Sequence, residues 1–215
     1  MKRLTVFLAA FAMLLAAHGP GAGAATRASL SPDDSAAVER AVAYLNNITT
    51  LKARFVQISS NGTYAEGDLL IARPGRLRFE YDPPNPALII ANGLSLLFYD
   101  RELKEASFLP LWETPLWFLI REKVELSDTM RVATVERARG TLRIALKDEA
   151  MADAGTVTLV FSDRPLALRK WEIVDAQGIL TEVSLLNPRF GVAVDPSAFD
   201  WSDLKVNAPP SPAGQ

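Results

Sequence analysis

Gly67 to Asp100 read GDLLIARPGRLRFEYDPPNPALIIANGLSLLFYD, and this stretch decides the fold class. Leu77, Phe79 and Tyr81 alternate with Arg76, Arg78 and Glu80, the period of a strand with one apolar and one polar face. Arg73-Pro74-Gly75 divides two strands, and Asn92-Gly93 falls between two apolar runs, where a hairpin turn needs positive φ. Such a segment builds an antiparallel sheet whose apolar face must be covered. What covers it is the functional question.

Upstream, Ser31-Pro32-Asp33-Asp34 marks a helix start: a hydroxyl N-cap, proline at the first helical position, and acids at the positive end of the dipole. Val38, Ala41, Val42, Leu45 and Ile48 follow at helical spacing and form one apolar stripe. Strands are expected over 51–59 and 64–72, with a turn at Asn61-Gly62 between them. Downstream, 104–109, 131–137, 141–147, 156–161, 168–175 and 179–186 read as further strands. Turns at Arg139-Gly140, Asp163-Arg164-Pro165 and Gln177-Gly178 separate the later ones. Thr114-Pro115 opens a short helix in which Leu116, Trp117, Phe118, Leu119 and Ile120 are all large and apolar. A helix apolar all round is buried on more than one side or faces a ligand. With no βαβ alternation, the class is mainly β: an antiparallel sheet, strongly curved or closed, with helices on its concave side.

Lys2-Arg3, an apolar run from Leu4 to Ala17 and the Ala22-Gly23-Ala24 signal predict a cleaved signal peptide over residues 1–24, with Ala25 as the alternative cleavage point. The run is short of the ~20 residues of a membrane span. The only histidine, His18, leaves with the peptide, and the chain has 0 Cys. The usual zinc, copper and haem ligands are thereby absent, as are Ser-His-Asp and Cys-His nucleophiles. Loss of Lys2 and Arg3 lowers Lys+Arg from 23 to 21 against 25 Asp+Glu, a net charge of −4. That balance argues against nucleic acid as a partner. Without disulfides, stability must come from one sizeable core.

Ala53-Arg54-Phe55-Val56-Gln57, then Gly67-Asp68-Leu69 with Arg73-Pro74, then Asn92-Gly93 with Phe98-Tyr99-Asp100, then Thr114-Pro115 opening an apolar helix, occur in a telling order. In order and spacing the chain resembles the periplasmic outer-membrane lipoprotein carriers, the LolA family, from about Ala36 to Trp201. The resemblance implies an unclosed, strongly curved antiparallel β-barrel with an α-helical lid over an apolar cavity for acyl chains. It implies a periplasmic, monomeric carrier and chaperone without cofactor or enzymatic activity. Cargo, the acylated lipoproteins, would come from an inner-membrane ABC transporter and pass to the outer membrane, to a receptor if one is present. That receptor shares the fold but has a lipidated N-terminal Cys, which is absent here. The expected organisation is a signal peptide 1–24, a carrier domain 25–205 and a disordered Pro-rich tail 206–215. Past Trp201 the chain departs from the family pattern, which puts a family strand or receptor contact there in doubt.

An acyl chain offers little to hydrogen-bond, so its site needs apolar side chains on one sheet face. By strand parity Leu77, Phe79 and Tyr81 share a face, as do Leu69 and Ile71 on the preceding strand. Trp112, Leu116, Trp117 and Ile120 would supply the lid. Ordinary core packing is the competing reading of each. In the family the arginine of the Arg-Pro pair faces inward and bonds the lid helices, which marks Arg73 as a latch; a solvated strand end is the alternative. Arg76 and Arg78 are expected to point outward into solvent. Two other functions stay open: a lipid- or lipoprotein-binding sensor on the same fold, and a carboxylate-based hydrolase, for which no acidic pair stands out.

Overall fold

The computed structural model describes residues 30–114, 117–127, 130–148, 155–175 and 177–204. The expected signal peptide 1–24 and tail 206–215 lie outside the described residues, as does Leu116. The chain divides into Met1–Leu30 and Ser31–Gln215, and every element named below belongs to the second unit. Helix α1 spans Pro32–Asn46 and starts as its sequence predicts. The Ser31 Oγ accepts from the Asp34 N–H at 3.1 Å, satisfying one of the first-turn donors that a helix leaves open. Ala37, Val38, Ala41 and Leu45 form its buried stripe.

Eleven strands follow: β1 Thr50–Ser59, β2 Tyr64–Ala72, β3 Arg76–Tyr81, β4 Ala87–Asn92, β5 Ser95–Asp100 and β6 Glu105–Pro110, then β7 Met130–Ala138, β8 Thr141–Asp148, β9 Thr156–Asp163, β10 Leu166–Val174 and β11 Leu180–Phe190. They form one sheet in the order β6-β5-β4-β3-β2-β1-β11-β10-β9-β8-β7. Every pairing is antiparallel. The single long-range pairing, β1 with β11, joins two runs of hairpins, and β6 and β7 remain as edges. The sheet is therefore not closed. The Asn92-Gly93 turn has the expected geometry: Gly93 has φ +109, and the Asn92 Oδ1 accepts from the Leu94 and Ser95 N–H groups. Strand β11 runs past the expected end at 186, through Asn187 at φ +49, because Arg189 and Phe190 pair with Lys52 and Leu51 beyond a register shift that puts an extra residue in β11.

The sheet is curled tightly. Strands β3 and β10 are four steps apart in the order, which in a flat sheet amounts to roughly 19 Å. Yet the rings of Phe79 on β3 and Trp171 on β10 have centroids 6.3 Å apart. The face carrying them is the concave one, and register places Leu69, Ile71, Leu77, Tyr81 and Phe55 on it as well. Gly67 permits the tightest contact there: a Cβ would lie 2.1 Å from the Glu80 carbonyl oxygen and 2.7 Å from Phe55 Cε1. Helix α1 lies on this face too. Tyr44 meets Phe161 and Phe190 edge-on at 5.9 and 6.2 Å, and its hydroxyl accepts from the Leu168 N–H at 3.2 Å, beside the register shift in β10.

On the convex face the expectation for Arg78 needs correction. Leu88, Ile90, Leu97 and Tyr99 form a second buried cluster there, covered by Val194, Phe199, Trp201 and Leu204. Arg78 lies beneath that covering segment: it donates to the Ala198 carbonyl at 3.1 Å and to Glu80. Arg76 is exposed, as predicted. Strand β4 buries both faces and breaks the alternation for that reason. The rest of the convex face carries cross-strand ion pairs, Arg54 with Asp82 and Arg143 with Glu172 among them.

Candidate functional site

A cavity of about 310 Å³ opens on the concave face. Gln57, Phe79, Tyr81, Ile89, Leu96, Leu109, Thr114, Trp171, Ile173, Thr181 and Val183 line it, with no charged side chain among them. These residues come from seven strands and the 3-10 turn region after β6, so only the curl of the sheet brings them together. Near neutral pH the Tyr81 hydroxyl is uncharged, since burial pushes its pKa up to about 12. It donates to Gln57 Oε1 at 2.8 Å.

The sequence-predicted residues fall into distinct places. Phe79 and Tyr81 line the cavity. Leu69, Ile71 and Leu77 are buried on the same face but do not line the cavity. Ile120 is buried and Trp117 half-buried in the short helix α2, Trp117–Ile120. Trp112 stands in a 3-10 turn, Leu111–Glu113, and is 56% exposed. With Leu94 at 67%, Leu109 at 49% and Phe98 at 44% exposed, it adds to the apolar surface that β5, β6 and the turns flanking them present to solvent.

Arg73 is half-buried at the end of β2 and is no solvated strand end. Its Nε donates to the Leu119 carbonyl of α2 at 2.8 Å and its Nη1 to the Leu45 carbonyl of α1 at 2.7 Å. One cation thus ties both helices to the sheet. Leu45 is in the last turn of α1, where carbonyls lack intrahelical donors and the dipole favours positive charge. Burial draws the Arg73 pKa down to about 10, so the guanidinium remains charged at neutral pH. The Gly75 N–H donates to the Ile120 carbonyl at 2.7 Å, which adds a backbone tie.

Sequence reasoning missed three residues here. Asn46 bonds Val124 in both directions, Nδ2 to its carbonyl at 3.1 Å and Oδ1 from its N–H at 2.8 Å, pinning the segment after α2 to α1. No local signal announces a pair 78 residues apart. Gln57 stood in a quoted motif without a role. Trp171 belongs to a predicted strand, but its inward direction depends on the register shift between Leu168 and Lys170. Among the described residues, no group of three His, Cys, Asp or Glu is placed to hold a metal.

The profile of the family described as "Outer membrane lipoprotein carrier protein LolA" matches residues 46–202. The chain belongs to the LolA family. A relative named outer-membrane lipoprotein carrier protein, from Pseudomonas aeruginosa (strain UCBPP-PA14), is 29% identical over 206 residues, covering 92% of each chain. Another with that name, from Coxiella burnetii (strain RSA 331 / Henzerling II), is 30% identical over 172 residues, covering 77% of this chain and 74% of the relative. A solved domain from Vibrio parahaemolyticus, described as an outer membrane lipoprotein-sorting protein domain, superposes with a TM-score of 0.51. It is 12% identical over 79% of this chain and 97% of its own, so it speaks to fold alone. The expectation of a LolA-type, open, mainly β fold is met by the eleven-stranded sheet and these likenesses.

Proposed function

We propose that this LolA-family protein is a periplasmic carrier that takes the acyl chains of lipoproteins into the cavity on its concave face and ferries them from the inner to the outer membrane. The observation that carries the reading is the cavity itself, whose lining has no charged side chain and only a few polar ones. Such a lining suits alkyl chains and offers no acid–base pair for catalysis. We read the protein as a binding protein and a monomer. An inner-membrane ABC transporter would load it and an outer-membrane receptor would unload it.

A carrier also has to let go. Each buried methylene contributes about 0.8 kcal/mol, so a long chain held without opposition would leave very slowly. Arg73 offers the opposition. Its two hydrogen bonds hold α1 and α2 against the sheet. A cavity of about 310 Å³ is near the low end of the range of roughly 300–1,000 Å³ for ligand sites, and in this reading the helices move outward to admit larger acyl cargo. Breaking the latch then offsets part of the burial energy on loading, and remaking it favours release. Leu69, Ile71, Leu77, Phe79 and Tyr81 act as the acyl-binding wall in this reading, with Trp112, Leu116, Trp117 and Ile120 as the lid.

Mass spectrometry of protein purified from its own periplasm tests the reading. A bound triacylated protein supports a lipoprotein carrier. A free lipid points to a different cargo, and an empty protein that also leaves lipoprotein sorting intact on depletion would overturn it.

A further inference from the structure

Trp171 is 1% exposed and lines the cavity, yet its indole N–H has no hydrogen-bond partner. Among the described residues, no other buried side-chain nitrogen or oxygen is in that condition. Buried indole N–H groups ordinarily find an acceptor, and leaving one without is costly. Gln57 lines the same cavity. Its Oε1 is occupied by the Tyr81 hydroxyl, which leaves its Nε2 as a second donor that no described residue accepts from. Both residues are in register with Val183, Gln57 on β1 and Trp171 on β10, one on each side of it.

One buried donor in the cavity wall thus lacks an acceptor, and the Gln57 amide offers a second donor beside it. Plain hydrocarbon cannot supply an acceptor. A carboxylate could, but no cation lines the cavity to offset its desolvation. A neutral carbonyl fits both conditions. Position supports the same choice: Tyr81 is the last residue of β3, and Gln57 stands two residues before the end of β1 and is half-buried. The polar trio therefore sits toward one end of the strands, where the head of a chain joins whatever it is attached to.

We propose that Trp171 and Gln57 form a hydrogen-bonding site for the ester or amide carbonyl at the head of a bound acyl chain. The cavity then distinguishes acyl groups from bare alkyl chains, ethers and ionised fatty acids. This rests on the lipid-carrying reading above and adds what that reading lacks, a determinant of which lipid is accepted. Tyr81 acts as a positioning residue, since its bond to Oε1 turns the Gln57 amide so that Nε2 is the free end.

The test compares three probes on delipidated full-length protein: 1-palmitoylglycerol, its ether analogue 1-O-hexadecylglycerol, and palmitate. The wild type is expected to bind the ester about tenfold more tightly than the ether, the worth of about one buried hydrogen bond, and palmitate more weakly than the ester. In Trp171→Phe the ester-to-ether ratio should fall to about one. The ¹⁵N indole resonance that this substitution removes should move clearly further in the wild type on adding ester than on adding ether, whose oxygen is the weaker acceptor. If Trp171→Phe does not fold, the ratio in Gln57→Met and the wild-type indole shift decide instead. Equal binding of ester and ether by the wild type overturns the carbonyl site and leaves the carrier reading standing. So does an indole resonance that ignores the ester. Binding of none of the probes would overturn both.

Discussion

Replacing Arg73 with leucine removes both side-chain ties between the helices and the sheet in one step. Each donates from a charged group, at 2.8 and 2.7 Å, and a hydrogen bond to a charged group contributes about 1.5–3 kcal/mol. The pair amounts to roughly 3–6 kcal/mol before the burial of the guanidinium is set against it. Burial is a real opposing term, as the lowered Arg73 pKa shows. A net latch of about 2 kcal/mol corresponds to a factor of about thirty in an equilibrium. Leucine also replaces a charged side chain with an apolar one. Arg73→Leu is therefore expected to bind an acylated lipoprotein at least as well as wild type and to pass it to outer membranes about thirtyfold more slowly. The assay incubates the loaded variant with outer-membrane vesicles and follows the lipoprotein into the pellet. Amide exchange gives the structural counterpart: the α2 amides should exchange faster in the empty variant. Transfer within twofold of the wild-type rate would refute the latch, and Arg73 would then be a structural clamp only.

Asn46→Ala should free the segment around Val124 by breaking its reciprocal pair. A loss of about 1.4 kcal/mol there means roughly tenfold faster exchange of the Val124 amide, with a smaller change in the global unfolding midpoint. Gly67→Ala places a Cβ 2.1 Å from the Glu80 carbonyl oxygen, so urea denaturation should show a loss of about 1–3 kcal/mol or more. Acid should destabilise the protein through Glu172: burial alone would raise its pKa, but hydrogen bonds from Arg143 and Lys170 hold it below the ordinary value. A carboxylate with a depressed folded pKa contributes stability above its unfolded pKa and loses it as pH falls through the folded one. The denaturation midpoint should thus hold steady down to about pH 5 and fall below about pH 4.3, less steeply in Glu172→Gln.

Much of this architecture was legible in the sequence where periodicity is local. Leu77, Phe79 and Tyr81 had to share a face once the strand was recognised, and Gly93 had to turn. The helix start at Ser31 was equally plain. What stayed hidden depends on irregularity or on distance. A strict alternation starting from Leu168 would turn Trp171 outward, yet both are buried, because the register shift between Leu168 and Lys170 resets the parity. The cavity needed β3 and β10 to meet across the curl, which no window of sequence contains. The convex cluster was readable after all: runs such as Leu88-Ile89-Ile90-Ala91 do not alternate, which signals burial on two faces. The candidate site was half visible for the same reasons, its Phe79 and Tyr81 on β3 in plain view and its residues on β1 and β10 out of reach.

The seam between β6 and β7 has a mechanical meaning. No ladder hydrogen bond crosses it, and the chain itself spans it between Pro110 and Met130, carrying α2 along the way. Among the described residues, moving these two edges relative to one another breaks no backbone pairing. The sheet can behave like a split ring, sprung at the closed β1–β11 side and free at the gap.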